Sequence, residues 1–411
     1  MLDKVFVCSE TGKLRKVLLH RPGRELEHLI PQYMDRLLFD DIPFLQRAAE
    51  EHDAFSKALT ENGVQVVYLI DLVSEVLDKY NLREQFINEF IRNASFNDKF
   101  VNNALLRYLS AITDSADLVR KTMEGISYND IELKKKNSLF SMVNGKEWFA
   151  TDPIPNLYFT RDPMAVLGDG IISLNSMFYA TRIRESLYVK YATLMNRDLN
   201  MNTKFVYLPS YPYTIEGGDL MVLSDEVLAV GLSQRTEAPA VDLIAESLFE
   251  ESDDGRSSSF KHIVAIDIPS MRAFMHLDTV LTQADYGVFL VHPQVVSNMK
   301  FYVLSKENGK KIKISQCNRS LEYVLEKYLN LDSVKLIQCG GNSPIASARE
   351  QWNDGSNVFC IEPGKVVVYD RNTITNRILE DNGLKTIPIP SSELSRGRGG
   401  PRCMAMPLLR D

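Results

Sequence analysis

The stretch that decides the fold is Leu220–Leu232, LMVLSDEVLAVGL, in which two apolar runs flank the turn residues Ser224 and Asp225. Two short apolar runs around such a turn predict a β-hairpin. An amphipathic helix follows from about Ala238 to Glu250, and then a short apolar strand, His262–Ile268. The stretch therefore predicts a unit of hairpin, helix and strand.

Four other parts of the chain show the same order of elements. Their predicted hairpins, helices and strands are Val5–His20 (turning near Thr11 and Gly12), Phe44–Glu61 and Val64–Leu69; Met164–Leu174, Arg184–Met195 and Phe205–Leu208; Thr279–His292 with a longer hairpin extension to Ser315, Leu321–Leu329 and Val334–Cys339; and Val358–Tyr369, Ile374–Asn382 and Lys385–Ile389. Five agreeing units predict a repeated α/β architecture.

Between the first and second units the pattern changes to helices without hairpins. The predicted helices are Leu72–Leu77, Leu82–Ile91, Phe100–Ile112 and Leu118–Gly125. A structureless loop of that length would be unusual. We therefore expect two domains: a catalytic body of residues 1–70 and 149–411, and a helical insertion of residues 71–148.

Composition excludes several classes of protein. The 411 residues are 45% hydrophobic and 25% charged, with a net charge of -7, which gives no support for nucleic-acid binding. No apolar run is long enough to span a bilayer, and the N-terminus lacks an apolar signal region. The five cysteines form no CxxC pair or zinc-type cluster, which indicates a reducing compartment. We expect a cytoplasmic protein without membrane or nucleic-acid partners.

Chemically capable residues stand at equivalent places in the repeat. Asp162 precedes the second hairpin, Glu216 precedes the third, and His276 and Asp278 open the fourth, while Cys403 follows the last strand of the fifth unit. If the units close around an axis, these positions meet at one end of it. Each residue alone has a plainer interpretation: an Asp before Pro is often a turn residue, and a His among apolar neighbours often lies in a core.

Cys403 lies in Ser395–Pro407, SRGRGGPRCMAMP, where glycines and proline disfavour helix or regular strand. Three arginines surround the cysteine, and nearby cations lower the pKa of a thiol. The segment therefore predicts a reactive nucleophile. A buried, unreactive Cys beside the apolar end Met404–Leu409 is the alternative. A metal site of His276, Asp278 and Glu216 matches no known ligand spacing.

Six segments closely resemble the bacterial arginine deiminases, over essentially the whole chain. They are Leu19–Gly23 (LHRPG), Asn156–Pro163 (NLYFTRDP), Ile215–Asp219 (IEGGD), Met275–Thr279 (MHLDT), Arg349–Asn357 (REQWNDGSN) and Arg402–Pro407 (RCMAMP). The resemblance implies the fold of the guanidine-modifying superfamily, a five-bladed, pseudo-symmetric α/β propeller of ββαβ units with an inserted helical subdomain.

The resemblance also implies roles for individual residues. They are Cys403 as nucleophile; His276 as general acid and base; Glu216 as partner of His276 and substrate; Asp162 and Asp278 as guanidinium clamps; Asn156, Arg182 and Arg235 as ligands of the substrate α-carboxylate, with Arg184 as an alternative to Arg182; and Phe159 and Arg398 as further substrate contacts. No metal or cofactor is implied, and a homodimer or larger homo-oligomer is expected.

The implied reaction is hydrolysis of free L-arginine to L-citrulline and ammonia through a Cys thiouronium, the first step of arginine catabolism. A planar, charged guanidinium suits bidentate carboxylate partners, and a thiolate is a far better nucleophile than water. The sequence leaves open another guanidine-modifying hydrolase or an amidinotransferase, a catalytically silent homologue that binds arginine or a protein partner, and a purely structural repeat protein.

Overall fold

The fold is α/β, and the computed structural model describes residues 2, 4–94, 98–132, 148–250, 258–307 and 312–411. The strands of these residues, β1 to β21 in chain order, are Phe6–Val7, Leu14–Leu19, Gln65–Tyr68, Ile126–Ser127, Phe149–Thr151, Met164–Val166, Gly168–Asp169, Ile171–Leu174, Lys204–Tyr207, Leu220–Val222, Val227–Leu232, His262–Asp267, Leu281–Asp285, Val288–Val291, Lys300–Lys306, Ile312–Cys317, Lys335–Gln338, Phe359–Glu362, Lys365–Tyr369, Lys385–Ile389 and Met406–Arg410. Their α-helices are Met34–Leu37, Leu45–Glu61, Leu69–Lys79, Arg83–Asn93, Lys99–Ser110, Ser115–Glu124, Glu185–Ala192, Arg197–Asn200, Ala238–Phe249, Pro293–Val296, Leu321–Leu329, Pro344–Trp352 and Thr373–Asp381.

Four of the predicted units form as expected. In each, two antiparallel strands make a hairpin, and the second strand pairs in parallel with the strand that follows the helix: β6, β8 and β9; β10, β11 and β12; β13, β14 and β17; and β18, β19 and β20. A parallel neighbour requires a crossover connection, which the helix supplies. The hairpin, helix and strand pattern is confirmed for these units.

The prediction for the first unit is wrong in one respect. β1 and β2 do not pair with each other as a hairpin across Val5–His20, because β21 lies between them, parallel to β1 and antiparallel to β2. β21 is hydrogen-bonded to a strand on each side, and four of its five residues are buried. A hairpin pattern reports local pairing, and a strand from the far end of the chain overrides it.

The extension predicted for the fourth hairpin joins a different sheet. β15 pairs antiparallel with β12, and β16 pairs with β15, which gives a five-stranded sheet in the order β10-β11-β12-β15-β16. The extension therefore continues the sheet of the third unit. β15 pairs with the edge of β12, whose backbone N–H and C=O groups would otherwise have no hydrogen-bond partners.

The helical region between the first two units packs on the body. Its helices bury one face each, and Phe86 meets Tyr191 of the helix Glu185–Ala192 edge to face, with ring centroids 5.1 Å apart. Tyr188 of the same helix donates a hydrogen bond to Thr122 Oγ1. Residues 133–147 of the predicted insertion lie outside the described residues. Among the residues that are described, no helix is long and apolar enough to cross a membrane.

Two short 3-10 turns carry the predicted site residues to the starts of strands. Gly217–Asp219 immediately precedes β10, and Leu277–Thr279 stands just before β13. Cys403 lies three residues before β21. The two turns place Glu216, His276 and Asp278 just before β10 and β13, and the loop before β21 holds Cys403.

Candidate active site

One pocket collects most of the residues that the sequence predicts. It has little free volume, about 20 Å³, because its own side chains nearly fill it. Glu216 and Asp278 do not line it, but they contact residues that do. The predicted residues that line it are Asn156, Phe159, Asp162, Arg182, Arg235, His276, Arg398 and Cys403.

The backbone around Cys403 is held from two sides. Asn357 Oδ1 accepts hydrogen bonds from the backbone N–H groups of Cys403 (3.1 Å) and Arg402 (3.0 Å). On the other side, the carbonyl of Cys403 accepts from the backbone N–H of Arg161 at 3.1 Å. The Cys403 side chain is only 4% exposed. The sulfur is therefore fixed in position by contacts with residues distant in sequence.

The expected effect of the neighbouring arginines on Cys403 is wrong. Burial, followed by the carboxylates of Asp278, Asp162 and Asp354, raises the pKa of the thiol well above its ordinary value. Arg402 directs its guanidinium to Glu10 and Asp278 at 3.0 and 2.8 Å. In this structure the thiol is therefore neutral at neutral pH.

Arg398 and Arg396, the other arginines of the loop, are also engaged elsewhere. The guanidinium of Arg398 lies 3.4 Å from the ring centroid of Trp352, and Arg396 is paired with Asp41. Arg398 adopts the left-handed backbone region, with φ of 63°. These two guanidinium groups are therefore held by Trp352 and Asp41.

His276 is held among carboxylates. Its Nε2 lies 2.9 Å from Glu216 Oε2, and its Nδ1 lies 3.8 Å from Asp162 Oδ1. Burial by itself lowers the pKa of His276, but the charge of Asp162 and the hydrogen bond to Glu216 outweigh burial and raise that pKa to about 9. A Cβ on Gly218 would lie 2.6 Å from the imidazole, so only glycine leaves room for the ring. His276 is therefore a protonated donor at neutral pH.

Glu216 and Asp162 are bound by arginines. Burial disfavours the charged form of Glu216, but the guanidinium groups of Arg235 and Arg182, 3.2 and 3.1 Å from Oε2, outweigh it and lower its pKa. Arg182 also contacts Asp162 at 3.0 Å and Glu185 at 2.7 Å. Glu216 therefore stays ionised.

The ligand atoms of Asp162, Glu216 and His276 all lie within 4.8 Å of one another, a geometry that a metal ion can use. The guanidinium groups of Arg182 and Arg235 already bond to these carboxylates. Their positive charge disfavours a second cation at the same place. The set considered from the sequence is His276, Asp278 and Glu216, whereas the structure brings Asp162 next to Glu216 and His276.

Each of the two predicted clamp residues keeps one carboxylate oxygen without a hydrogen bond from the residues described. Asp162 Oδ1 and Asp278 Oδ1 are buried and accept a hydrogen bond from no residue that the structure describes. Asp278 Oδ2 lies 3.7 Å from Cys403 Sγ. Buried acceptors without donors are costly. These two oxygens are therefore open to a ligand with N–H donors beside the sulfur.

The residues expected to bind an α-carboxylate differ in how they are engaged. Asn156 Nδ2 donates to the carbonyl of Leu37 at 2.7 Å. Arg235 stacks over Tyr179 at 4.5 Å, and its Nε donates to no described residue. Arg184 is buried but does not line the pocket, which favours Arg182 over Arg184.

Two residues that support the site were not singled out from the sequence. Asn357 holds the Cys403 loop, and its Nδ2 also donates to the carbonyl of Asp278 at 3.0 Å. Asp219 Oδ1 accepts from the backbone N–H of Leu277 at 2.8 Å and so fixes the turn between His276 and Asp278. Burial raises the pKa of Asp219 to about 6. Both residues lie within the quoted motifs, but their partners are apparent only in three dimensions.

Comparison with solved structures shows the fold. The chain matches the N-terminal domain of ArgZ, an arginine dihydrolase from the ornithine-ammonia cycle in cyanobacteria, with a TM-score of 0.52 and 14% identity, covering 96% of this chain and 97% of that one. A dimethylarginine dimethylaminohydrolase variant, solved as an adduct with S-methyl-L-thiocitrulline, matches with a TM-score of 0.51 and 14% identity, covering 96% and 99%. At this identity the likeness concerns the fold alone.

Comparison of sequences gives the family. Residues 35–410 match the arginine deiminase family model. The arginine deiminase of Treponema denticola is 47% identical over 407 residues, covering 98% of each chain, and that of Clostridium perfringens is 48% identical over 410 residues, again 98% of each. The family model matches most of the chain and these relatives match nearly all of it, so this chain belongs to the arginine deiminase family.

Proposed function

We propose that this chain hydrolyses free L-arginine to L-citrulline and ammonia. The observation that carries the proposal is a pair of buried carboxylate oxygens, Asp162 Oδ1 and Asp278 Oδ1, that accept no hydrogen bond from the described residues, with Cys403 Sγ only 3.7 Å from the second carboxylate. A guanidinium presents N–H donors on several edges and fits two carboxylates on different elements. Family membership supports the same activity.

Substrate binding requires a rearrangement, because the pocket is nearly filled. In this structure the Arg182 guanidinium donates hydrogen bonds to Asp162 Oδ2 and Glu216 Oε2. An incoming substrate guanidinium binds the other oxygen of Asp162, next to the Arg182 cation, and like charges repel. Arg182 therefore leaves Asp162 when arginine enters, and together with Arg235 and Asn156 it binds the substrate α-carboxylate. Phe159 and Arg398 complete the pocket wall.

In the first half of the reaction, the substrate guanidinium bound by Asp162 and Asp278 helps Cys403 to ionise. Burial and the neighbouring carboxylates hold the pKa of Cys403 high, and a guanidinium beside the sulfur offsets them, so the thiol releases its proton to solvent as the substrate binds. The thiolate attacks the guanidino carbon, and the neutral tetrahedral species loses ammonia as His276 delivers a proton to the leaving nitrogen. The products of this half are ammonia, neutral His276 and a cationic thiouronium on Cys403.

Water completes the cycle. Neutral His276 removes a proton from water, and the resulting hydroxide attacks the thiouronium carbon. The C–S bond then breaks, the thiolate leaves, and the new carbonyl of citrulline forms as its oxygen loses a proton to solvent. Glu216, bonded to His276 at 2.9 Å, keeps the ring oriented in both halves.

The test is product formation from a set of guanidines. We expect citrulline and ammonia from free L-arginine, and little product from agmatine, dimethylarginine or peptidyl arginine, because agmatine leaves buried arginines unpaired. Cys403→Ser should abolish turnover, and the matched control Cys317→Ser, at a half-buried cysteine outside the pocket, should retain it. Comparable activity on agmatine, or retained turnover in Cys403→Ser, would contradict the proposal.

The proposal extends to the arrangement of the units, the domains and the location of the protein. We infer that the five units close around a common axis as blades, which is supported by the hairpin and parallel third strand that four of the units share. We also infer that residues 71–148 form an insertion in a body of 1–70 and 149–411. All five cysteines are free, which supports a reducing, cytoplasmic location. A homo-oligomer stays a prediction.

A further inference from the structure

A buried carboxylate on the first long helix binds the loop that precedes β21. Glu51 lies in the helix Leu45–Glu61 and is 1% exposed. Its Oε1 accepts hydrogen bonds from the backbone N–H and the hydroxyl of Ser392, at 2.8 and 2.6 Å. Its Oε2 accepts from the backbone N–H groups of Glu393 and Leu394, at 2.9 and 3.0 Å. One side chain therefore satisfies three consecutive backbone donors.

These bonds fix the direction of the chain where the loop begins to turn. Successive N–H groups that point at one anion form a defined concavity, and hydrogen bonds to a charged acceptor are stronger than neutral ones. The chain continues into the 3-10 turn Leu394–Gly397 and then into Arg398, whose φ is 63°. A side chain in that left-handed region is strained and is kept there by surrounding contacts. Glu51 supplies such contacts at the start of the same turn.

The turn and the residues after it form one wall of the candidate active site. Gly397, Arg398 and Gly399 line the pocket. The glycines pack closely on two aromatic residues: a Cβ on Gly397 would lie 1.9 Å from Tyr158 Oη, and one on Gly399 would lie 2.2 Å from the ring of Phe159. Because these contacts leave the turn little room to adjust, a shift at its first residue changes the shape of the pocket wall.

Other contacts join the same two parts of the chain, but they are exposed to solvent. The backbone N–H of Phe44 donates to Glu393 Oε2 at 2.8 Å, and Arg396 pairs with Asp41. Exposed ion pairs contribute little to stability. Glu51 is buried and makes four hydrogen bonds to the loop, so it is the main connection between the helix and the loop.

The backbone of Cys403 is held by other residues. Asn357 accepts from its N–H, and Arg161 donates to its carbonyl. Glu51 makes its hydrogen bonds nine or more residues earlier in the chain. Loss of Glu51 should therefore displace the pocket wall while the sulfur stays attached at its own position.

We propose that Glu51 is a positioning residue for the reaction, which holds the turn Leu394–Gly397 so that Gly397, Arg398 and Gly399 form the wall against which the substrate binds. The inference rests on the proposed hydrolysis of arginine. Without Glu51, substrate binding weakens and the sulfur of Cys403 becomes more accessible.

The first test compares KM and kcat for arginine. Glu51→Gln keeps the size of the side chain but has one acceptor oxygen, and its NH₂ group faces N–H donors. We expect KM to rise about tenfold or more and kcat to change less. Glu51→Asp, which keeps both oxygens and the charge, should recover part of the loss.

Two control variants separate positioning from general stability. Glu50→Gln changes an exposed carboxylate on the same helix. Val76→Ala opens a cavity in the helical region, away from the pocket, and lowers stability without touching the loop. Both variants should keep the KM of the wild type.

The second test needs no substrate. Alkylation of Cys403 by iodoacetamide at fixed pH, followed by peptide mass spectrometry, should be severalfold faster in Glu51→Gln than in the wild type. Cys339 and Cys360 are buried elsewhere and report general unfolding, so their rates should not change.

Several results would overturn the proposal. These are an unchanged KM in Glu51→Gln, an equal rise in Val76→Ala, an unchanged alkylation rate at Cys403, or an equal acceleration at Cys339. If Glu51→Gln does not fold, Ser392→Ala decides: it removes one donor at an exposed residue and should raise KM about threefold, and an unchanged KM would count against Glu51.

Failure of the proposed function has a different signature. If the wild type forms no citrulline from arginine, the proposed reaction is wrong. The alkylation rates of Cys403 in the wild type and Glu51→Gln still show whether Glu51 holds the loop.

Discussion

Replacing Asp278 by Asn should make Cys403 easier to ionise and the enzyme nearly inactive. Asp278 Oδ2 lies 3.7 Å from Cys403 Sγ, and its negative charge helps to raise the pKa of the thiol. Asn keeps the shape and can still accept from Arg402, but it carries no charge. The same carboxylate therefore suppresses the free thiolate and holds the substrate cation.

The magnitude follows from the separation of the two groups. A unit charge at 3.7 Å and an effective dielectric of about 20 corresponds to roughly 4.5 kcal/mol, or about a thousandfold in the ionisation constant. Arg402, 2.8 Å from the same oxygen, already cancels part of that charge, so this value is an upper bound. We expect the pKa of Cys403 to fall when the charge of Asp278 is removed.

The assay is the rate of inactivation by iodoacetamide, a neutral reagent, measured as a function of pH. The midpoint of the profile should lie above the ordinary thiol value of 9.0 in the wild type, and it should be lower in Asp278→Asn. The kcat/KM for arginine should also fall in Asp278→Asn, by an amount that corresponds to a loss of about 2–5 kcal/mol of transition-state stabilisation. Cys403→Ser shows which part of the inactivation belongs to this sulfur, and Asp381→Asn is the remote carboxylate control.

An unchanged or higher midpoint in Asp278→Asn would refute the electrostatic reasoning, since removal of a nearby negative charge can only favour the thiolate. Near-normal turnover in the same variant would refute the clamp role. A lowered midpoint together with lost turnover is the pattern that the structure predicts.

Three other substitutions address the remaining parts of the site. Glu216→Gln should lower the pKa of His276 from about 9 toward its ordinary 6.5, measured by histidine NMR titration; an unchanged value would show that Glu216 does not hold the proton. Because the folded-state pKa is raised, the stability that protonated His276 contributes is complete below 6.5 and lost as pH rises through about 9, which denaturant unfolding across that range checks. Asn357→Ala leaves the backbone N–H of Cys403 without its acceptor and should cost about 1–3 kcal/mol of stability and lower kcat more than it changes KM, whereas Asn357→Asp should recover part of both. Arg235→Leu should narrow the kcat/KM advantage of arginine over agmatine, and a ratio equal to that of the wild type would remove Arg235 from the carboxylate site.

Local pattern predicts most of the fold because the units are built from neighbouring segments. The hairpin and third strand of the unit at Leu220–Leu232 are apolar, short and bounded by turn residues, and they form as expected. The pattern fails where pairing is non-local. Met406–Arg410 enters the first sheet from the far end of the chain, and Lys300–Lys306 joins the sheet of an earlier unit. Sequence periodicity gives no partner for such strands.

The site shows the same division between local and distant causes. The identities of Cys403 and His276 as pocket residues follow from motif and repeat position. The charge state of Cys403 does not, because three arginines close in sequence turn to distant partners; Arg402, for example, pairs with Glu10. Side-chain direction is set by the packed fold, so cationic neighbours in the sequence are poor evidence for a lowered thiol pKa.

The most direct measurement is the mass of the enzyme quenched with acid during turnover of arginine, followed by peptide mapping. Nucleophilic catalysis by Cys403 predicts an adduct equal to arginine less ammonia on the peptide that contains Cys403, present in wild type and absent in Cys403→Ser. The same adduct on Cys8, Cys317, Cys339 or Cys360, or rapid turnover in Cys403→Ser, would contradict the account.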